Sequence, residues 1–461
     1  MFRKVKKLHF VGIGGIGMSG IAELLLNLGF KVSGSDLKLS NITHNLSEKG
    51  AIIKNGHNSS NLKDCDVLVY SSAVQENNPE IIEANARGIP VIRRAEMLGE
   101  LIAVKQTSIA VSGTHGKTTT SSMIGSILSE AKLDPTLVVG GLVKNLDTNS
   151  LLGTGELIVV EADEFDRSFL QLRPTIAMIT NIELEHTDCY ENLEDLQNAF
   201  TQFSNATPFY GVVIAGLDSP ALQNIVSEIN RPIITFGLSP LADLRAESIS
   251  FSESKTQFTV SFYQEVLGNI TLNVPGEHNV LNSLAAIALG IELGIPFDVI
   301  SSGLQSYGGV RRRFEIKGIV NDIMVVDDYA HHPTEVSATL QAARSGWNRR
   351  IVAVFQPHLF TRTRDFYADF AKAFMQCDVL VVTNIFPARE KPIPGITGEL
   401  VANSAKEFGH PDIYYECDLK KLPDKLDDIV QPGDLMITIG AGNIWRYCDS
   451  YFHHLSERAE A

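Results

Sequence analysis

The chain is poor in several things that would narrow its role at once. It has five cysteines in 461 residues (Cys65, Cys189, Cys377, Cys417 and Cys448), scattered and with no CxxC pair. That spacing argues against a disulfide framework or a zinc knuckle and fits a reducing cytoplasm. No run of about 18 apolar residues occurs, so no membrane-spanning helix is expected. Met1 to Lys7 is basic, but a short strand and a glycine-rich turn follow, not a signal-peptide core. Basic residues are in deficit, 39 Lys and Arg against 54 Asp and Glu, a net charge of -15. Such a surface disfavours nucleic acid and anionic membrane as partners. Internal repeats, low-complexity tracts and long Pro/Gly linkers are also missing. What remains is 44% hydrophobic and 20% charged, the balance of a soluble globular protein, long enough for about three domains of roughly 150 residues.

Short apolar strands alternate with helical stretches along the whole chain, which indicates βαβ units and parallel sheets. The pattern restarts twice, giving three expected α/β domains at 1–104, 105–310 and 311–461. The first reads as a Rossmann-like parallel sheet. The second reads as an ATPase-like sheet, with alternating segments between Ala246 and Val274 that suggest antiparallel hairpins at one edge. The third reads again as Rossmann-like.

Two glycine-rich turns lie between a strand and a helix. Gly113-Thr114-His115-Gly116-Lys117-Thr118 follows Ser108-Ile109-Ala110-Val111 and precedes a helix expected from Lys117 to about Glu130. Glycines let backbone N–H groups turn toward phosphate, and the helix N-terminus adds positive potential. Lys117 can reach the β- and γ-phosphates of ATP, and the Thr118 hydroxyl can ligate Mg²⁺. The loop is shorter than GxxxxGK[ST], with Val at position 111. The alternative is a packing turn with an incidental lysine. Gly12-Ile13-Gly14-Gly15-Ile16-Gly17 fits GxGxxG, and Asp36 follows at a spacing that suits a ribose hydroxyl. From the residues alone this turn could serve NAD, another diphosphate ligand such as a nucleotide-sugar, or packing only.

Acids and imidazoles follow several expected strands. Glu161-Ala162-Asp163-Glu164 could hold Mg²⁺ beside the phosphate loop, and His186 ends the next strand. Any one of them alone reads first as a solvated loop residue, but two in succession beside a phosphate loop favour metal binding. Asn279 could cap a helix and Asn282 could face core or ligand. Arg311-Arg312-Arg313 is a basic cluster that could neutralise transferring charge. Asp327-Asp328 and His331-His332 lie at another strand end, where α/β sheets bind ligands.

Taken together and in order, VGIGGIGMSGIAELL, SSAVQENNPE, SGTHGKTTT, EADEFDRSFL, NIELEHTD, PGEHNVLNSLAA, RRRFE, DDYAHHPTE, FQPHLFTRTRDF, PAREKPIPG and GAGNIW resemble the Mur ligase superfamily of ATP-dependent amide-forming enzymes over nearly the whole chain. The resemblance implies ATP and Mg²⁺ as cofactors, with UDP-N-acetylmuramate and L-alanine as substrates. It implies nucleotide contacts from Gly113, Thr114, His115, Gly116, Lys117, Thr118 and Thr119, adenine contact by Asn282, γ-phosphate contact by Arg313 and ribose contact by Asp328. Thr118, Glu161 and His186 would be metal ligands. Lys117, Arg313, His331 and Arg362 would serve catalysis, the last two near the incoming amino acid. Gly12, Gly14, Gly15, Gly17, Asp36, Ser71 and Ser72 would hold the UDP-sugar, so the first turn would bind uridine diphosphate and not NAD. A cytoplasmic monomer or homodimer is implied, binding neither nucleic acid nor membrane. Two positions depart from the family pattern: Leu359 where many relatives carry Arg, and Asn443 where GAGD is common. The carbamylated lysine of some siblings has no match. The competing readings are a ligase that attaches a preformed peptide to the same sugar, an NAD-dependent oxidoreductase and a non-catalytic nucleotide-sugar-binding regulator.

Overall fold

A computed structural model describes residues 5–71, 73–103, 105–143, 148–185, 189–388 and 390–460. Its strands form three sheets, and the expected three-domain α/β architecture holds. The first sheet has strands β1 (Lys7–Val11), β2 (Lys31–Asp36), β3 (Ile52–Asn55), β4 (Val67–Tyr70) and β5 (Val91–Arg93), in the order β3-β2-β1-β4-β5. All pairs are parallel. The order reverses between β1 and β4, the switch point at which open α/β sheets receive ligands.

The second sheet contains β6 (Thr107–Ser112), β7 (Thr136–Val143), β8 (Thr148–Leu151), β9 (Leu157–Glu161), β10 (Ile176–Ile179), β11 (Val212–Gly216), β12 (Ile233–Gly237), β13 (Leu244–Ser252), β14 (Lys255–Phe262) and β15 (Glu265–Leu272). Their order is β15-β14-β13-β12-β11-β10-β6-β9-β7-β8. The central strands are runs such as LIVVE, IAMI and VVIAG, almost wholly buried, as parallel strands covered on both faces must be. The expected hairpin edge is β13 to β15. Two-residue connections join these neighbours, which only antiparallel strands permit. Tyr263 and Gln264 both take positive φ, +46° and +71°, the turn that matches strand twist. A second hairpin, β7 with β8, edges the other side; the sequence reading did not resolve it.

The third sheet has β16 (Glu315–Val320), β17 (Ile323–Asp328), β18 (Arg350–Phe355), β19 (Val379–Thr383), β20 (Ile413–Glu416) and β21 (Asp434–Ile439), ordered β16-β17-β21-β18-β19-β20. It is parallel except for β16, an antiparallel edge with a register shift between Ile316 and Gly318. The sequence reading expected only parallel strands here.

By contacts the chain divides into two compact units. One is Met1–Glu247, Thr259–Ile270 and Leu281–Tyr307; the other is Ser248–Phe258, Thr271–Val280 and Gly308–Ala461. In the first, a single apolar cluster runs from Leu8 and Phe10 of β1 through Phe169, Phe200 and Phe203 to Val213 of β11. In the second, clusters cover both faces of the β17/β18/β21 centre. The helix Lys117–Glu130 is pressed close against Phe297–Gln305 because position 303 is glycine: a Cβ there would stand 2.7 Å from Ile127 Cα. Among the described residues, no helix is long and apolar enough to cross a membrane.

Phe169 anchors the loop that follows β9. It is 1% exposed, edge-on to Phe200 at 5.1 Å and stacked on Phe203 at 5.0 Å. Phe169→Ala should therefore lower unfolding free energy by about 3–5 kcal/mol, as measured by denaturant titration; a change under about 1 kcal/mol would show that the loop is not anchored there.

Candidate functional site

In the first unit, the turn after β6 is laced to the end of β10. Thr114 N donates to Asn181 O (3.1 Å) and His115 N to Asn181 Oδ1 (2.9 Å). Thr180 Oγ1 donates to His115 O (2.5 Å), and Glu183 N donates to Thr114 Oγ1 (2.9 Å). The His115 Nε2 and Glu183 carboxylate lie 2.9 Å apart. Gly113 and Gly116 take φ of +126° and +86°. A Cβ on Gly113 would meet Thr180 Oγ1 at 2.1 Å, and one on Gly116 would meet Asn282 Oδ1 at 2.3 Å. Thr120 also donates to that Asn282 oxygen, at 3.2 Å. The loop is thus a rigid backbone concavity at the start of the helix, the form that receives phosphate.

Lys117 stands at the first helical position. Its Nζ donates to Gly113 O (2.6 Å), Thr114 O (3.2 Å) and Glu164 Oε2 (2.8 Å). Burial works against its charge, but Glu164, Asp163 and Glu185 outweigh burial and raise its pKa. Burial also raises the Glu164 carboxyl, against the pull of Lys117. Thr118 hydrogen-bonds Glu161, whose carboxyl is likewise raised by burial, and Gly140 N donates to Glu161 Oε1 at 2.7 Å. The structure therefore brings Lys117, Thr118 and Glu161 together, with Thr119 buried in the same turn. His186 lies outside the described residues. Glu164 and Asn181 were not singled out as site residues; Glu164 shares the EADE run, but Asn181 needed the fold.

The other glycine turn crosses the β1/β4 switch point. Gly12 has φ +80°, and Gly12 N and Ile13 N both donate to Ser35 O at 2.8 and 3.1 Å. Gly14 N donates to Asp36 Oδ2 (2.8 Å) and Lys38 N to Asp36 Oδ1 (3.2 Å). Asp36 thus braces the glycine turn from the end of β2. Gly15 caps the helix Ile16–Asn27, which includes Gly17. Ser71 backs Gly12, where a Cβ would meet it at 3.3 Å; Ser72 is outside the described residues. Beside this crevice lies a buried network that the sequence reading missed. The Glu80 carboxylate, 0% exposed, meets His9 Nε2 (3.1 Å) and accepts from Ser35 Oγ (2.6 Å), Asn58 N (3.0 Å) and Asn61 Nδ2 (2.6 Å). Burial alone would raise this carboxyl; the donated hydrogen bonds, led by His9 and Ser35, hold it down at about 2.

The second unit has its own cluster. Arg312 (φ +61°) donates Nε to Asp327 (3.1 Å) and Nη2 to Gly440 O (2.5 Å), and lies over Tyr329 at 4.8 Å. These contacts present Arg313, whose Nη1 reaches Glu335 at 3.4 Å. Asp328 accepts from Phe314 N (2.6 Å) and Ala330 N (2.7 Å), and burial pushes its carboxyl up to about 6 despite Arg313. Burial and Arg313 push the His278 imidazole down to about 4. His331 Nδ1 lies 3.1 Å from Tyr329 O and 3.2 Å from Glu335. Its ring is edge-on to His358 at 6.0 Å, and His358 Nδ1 is 3.4 Å from Arg362. The structure so gathers Arg313, Asp328, His331 and Arg362 around Glu335 and His358, two residues the sequence reading did not single out. Leu359 has φ +69°, and its own N–H donates to Phe386 O. Asn443 accepts from Gln356 Nε2 at 2.8 Å, so a polar contact is present at this departure.

Sequence models of one family match three consecutive stretches: the Mur ligase family catalytic domain at 7–106, the Mur ligase middle domain at 111–290 and the Mur ligase glutamate ligase domain at 312–442. A UDP-N-acetylmuramate–L-alanine ligase from Geotalea uraniireducens is 51% identical over 446 residues, covering 97% of each chain. One from Geobacter sulfurreducens is 49% identical over 463 residues, covering both chains fully. The crystal structure of a UDP-N-acetylmuramate–alanine ligase from Thermotoga maritima superposes with a TM-score of 0.84 at 30% identity, covering 98% of this chain and 99% of that one. A murein peptide ligase from Psychrobacter arcticus gives 0.71 at 26% identity, covering 98% of each.

Two expectations follow from the geometry. Gly116→Ala forces an L side chain into a left-handed conformation and against Asn282, so it should cost at least about 1–2 kcal/mol and weaken ATP binding in calorimetry. A variant as stable and as tight as the parent would show that the loop yields. Asp328 is held protonated to higher pH in the fold than in the unfolded chain. Its contribution is therefore full at low pH and is lost as pH rises from its ordinary value of 3.8 through about 6. In Asp328→Asn the part of the stability–pH slope across that window should vanish, whatever the absolute stability; an unchanged slope in urea titrations would place the shift elsewhere.

Proposed function

The chain belongs to the Mur ligase family, and from that premise we propose that it joins L-alanine to the carboxylate of UDP-N-acetylmuramate, with ATP converted to ADP and phosphate. The observation that carries this reading is the phosphate loop, where Lys117 stands within the concavity and Thr118 touches Glu161. The ordering is that of an acyl-phosphate ligase. The sugar's carboxylate attacks the γ-phosphate, and the alanine amine then displaces phosphate from the acyl phosphate, forming the amide.

The electrostatic obstacle is the meeting of two anions, carboxylate and triphosphate. Backbone N–H groups of Gly116 and Lys117 at the helix N-terminus bind the phosphates, and the Lys117 ammonium places a fixed positive charge against them. The hydroxyl of Thr118 and carboxylate of Glu161 are hard oxygen donors within contact of each other, which suits Mg²⁺; His186 is proposed as a further ligand from the family pattern. When bound, the metal supplies neutralising charge to the phosphates. Asn282 and Asp328 are proposed for adenosine and Arg313 for the γ-phosphate. His331 and Arg362 are proposed to orient the amino acid, His331 by accepting the amine's proton. Gly12, Gly14, Gly15, Gly17, Asp36, Ser71 and Ser72 are proposed for the UDP-sugar. About 50% identity to full-length alanine ligases, against 26% to a murein peptide ligase, favours the single amino acid.

With UDP-N-acetylmuramate and ATP, free L-alanine should drive ADP release and a preformed peptide should not; the opposite order would assign the peptide-attaching activity. Lys117→Ala should cut alanine-dependent turnover by about 10²- to 10³-fold or more. Turnover near that of the parent would remove Lys117 from phosphoryl transfer.

A further inference from the structure

The buried Glu80 network has no part in the reaction as described, yet it ends on a side chain at the substrate edge of the first sheet. Glu80 Oε2 is 2.6 Å from Ser35 Oγ, and Ser35 Oγ is 2.8 Å from His57 Nδ1. A carboxylate held at about 2 is ionised at neutral pH and can only accept. The single hydroxyl hydrogen of Ser35 is therefore given to Glu80. Ser35 can then only accept from His57, so the proton of neutral His57 sits on Nδ1 and its Nε2 is an acceptor. Three elements fix this polarity. Ser35 is on β2, Glu80 is in the first turn of the helix Pro79–Ala86, and Asn58 and Asn61 after β3 close the far side of the carboxylate.

The position of His57 says which part of the ligand it meets. Glycines at the β1/β4 switch point receive the diphosphate and Asp36 ends β2. His57 follows β3, one strand farther out. Asp36 and Asn55 are register partners, and Gly56 N donates to Asp36 O at 2.7 Å. With the diphosphate assigned to the glycines and the ribose to Asp36, a nucleotide running outward across β2 toward β3 carries its base to His57. Uracil presents N3–H, a donor between two carbonyls, whereas cytosine presents a bare N3 acceptor. We propose that His57 reads the uracil N3–H through Nε2, and that Glu80, acting through Ser35, is the positioning residue that fixes the His57 tautomer. The inference rests on the reading of this crevice as the UDP-sugar site.

Polarity gives a test that a merely structural network would not pass. In Glu80→Gln the amide oxygen must face Asn58 N–H, an obligate donor, which turns the amide N–H₂ toward Ser35. Ser35 then donates to His57 Nδ1, and His57 presents Nε2–H instead of a lone pair. The readout is the ratio of kcat/KM for UDP-N-acetylmuramate to that for its cytidine counterpart. The parent should favour uridine by about tenfold or more, and Glu80→Gln should bring the ratio to parity or below. Ser35→Ala and His57→Gln interrupt the relay without a buried charge change and should each reduce the ratio by about tenfold, so they carry the test if Glu80→Gln fails to fold. Loss of stability with the ratio unmoved in these variants would overturn the proposal. A parent that uses both nucleotides equally would overturn it too, while a parent that ligates neither would instead overturn the ligase reading.

Discussion

The site depends on a constraint of space: two backbone positions where no side chain fits. At Gly113 and Gly116 the neighbouring oxygens of Thr180 and Asn282 stand where a Cβ would be. The turn is held against β10 by hydrogen bonds through Thr114 and His115. Lys117 can therefore begin its helix in one place only, and Thr118 falls opposite Glu161 at the end of β9. The buried strands β6, β9 and β10 fix the distances between these pieces, because each is packed on both faces and cannot slide.

Much of this was legible in the sequence because the relevant signals are local. Continuous apolar runs such as LIVVE mark covered parallel strands, and a glycine turn between such a strand and a helix is a contiguous pattern. The place of Asp36 at the end of β2, beside the glycine turn, was legible by its spacing from Gly17. The helix Lys117–Glu130 was read with its bounds, and the hairpin edge was read from alternation between Ala246 and Val274.

What was not legible is long-range. Glu80 meets His9 across 71 residues and Arg312 meets Gly440 across 128. No spacing rule links such pairs, and a glutamate in Asn78-Pro79-Glu80 reads first as a helix-start residue. Glu335 escaped for the same reason: it follows Pro333 in the first turn of a helix, where an acid is ordinary. The edge strands β3 and β16 escaped because edge positions are largely solvated and lose the apolar signature.

Lys117 is already paired inside its own loop, with Glu164 and two main-chain carbonyls. Glu164 is thus a tethered competitor: any phosphate that takes the ammonium must displace a carboxylate held 2.8 Å away at high effective concentration. On the proposed role of Lys117, arrival of nucleotide is an exchange of one anion for another, not the quenching of a bare charge. On the proposed role of this loop, a small anion must displace the resident Glu164 carboxyl before it can reach the Lys117 ammonium.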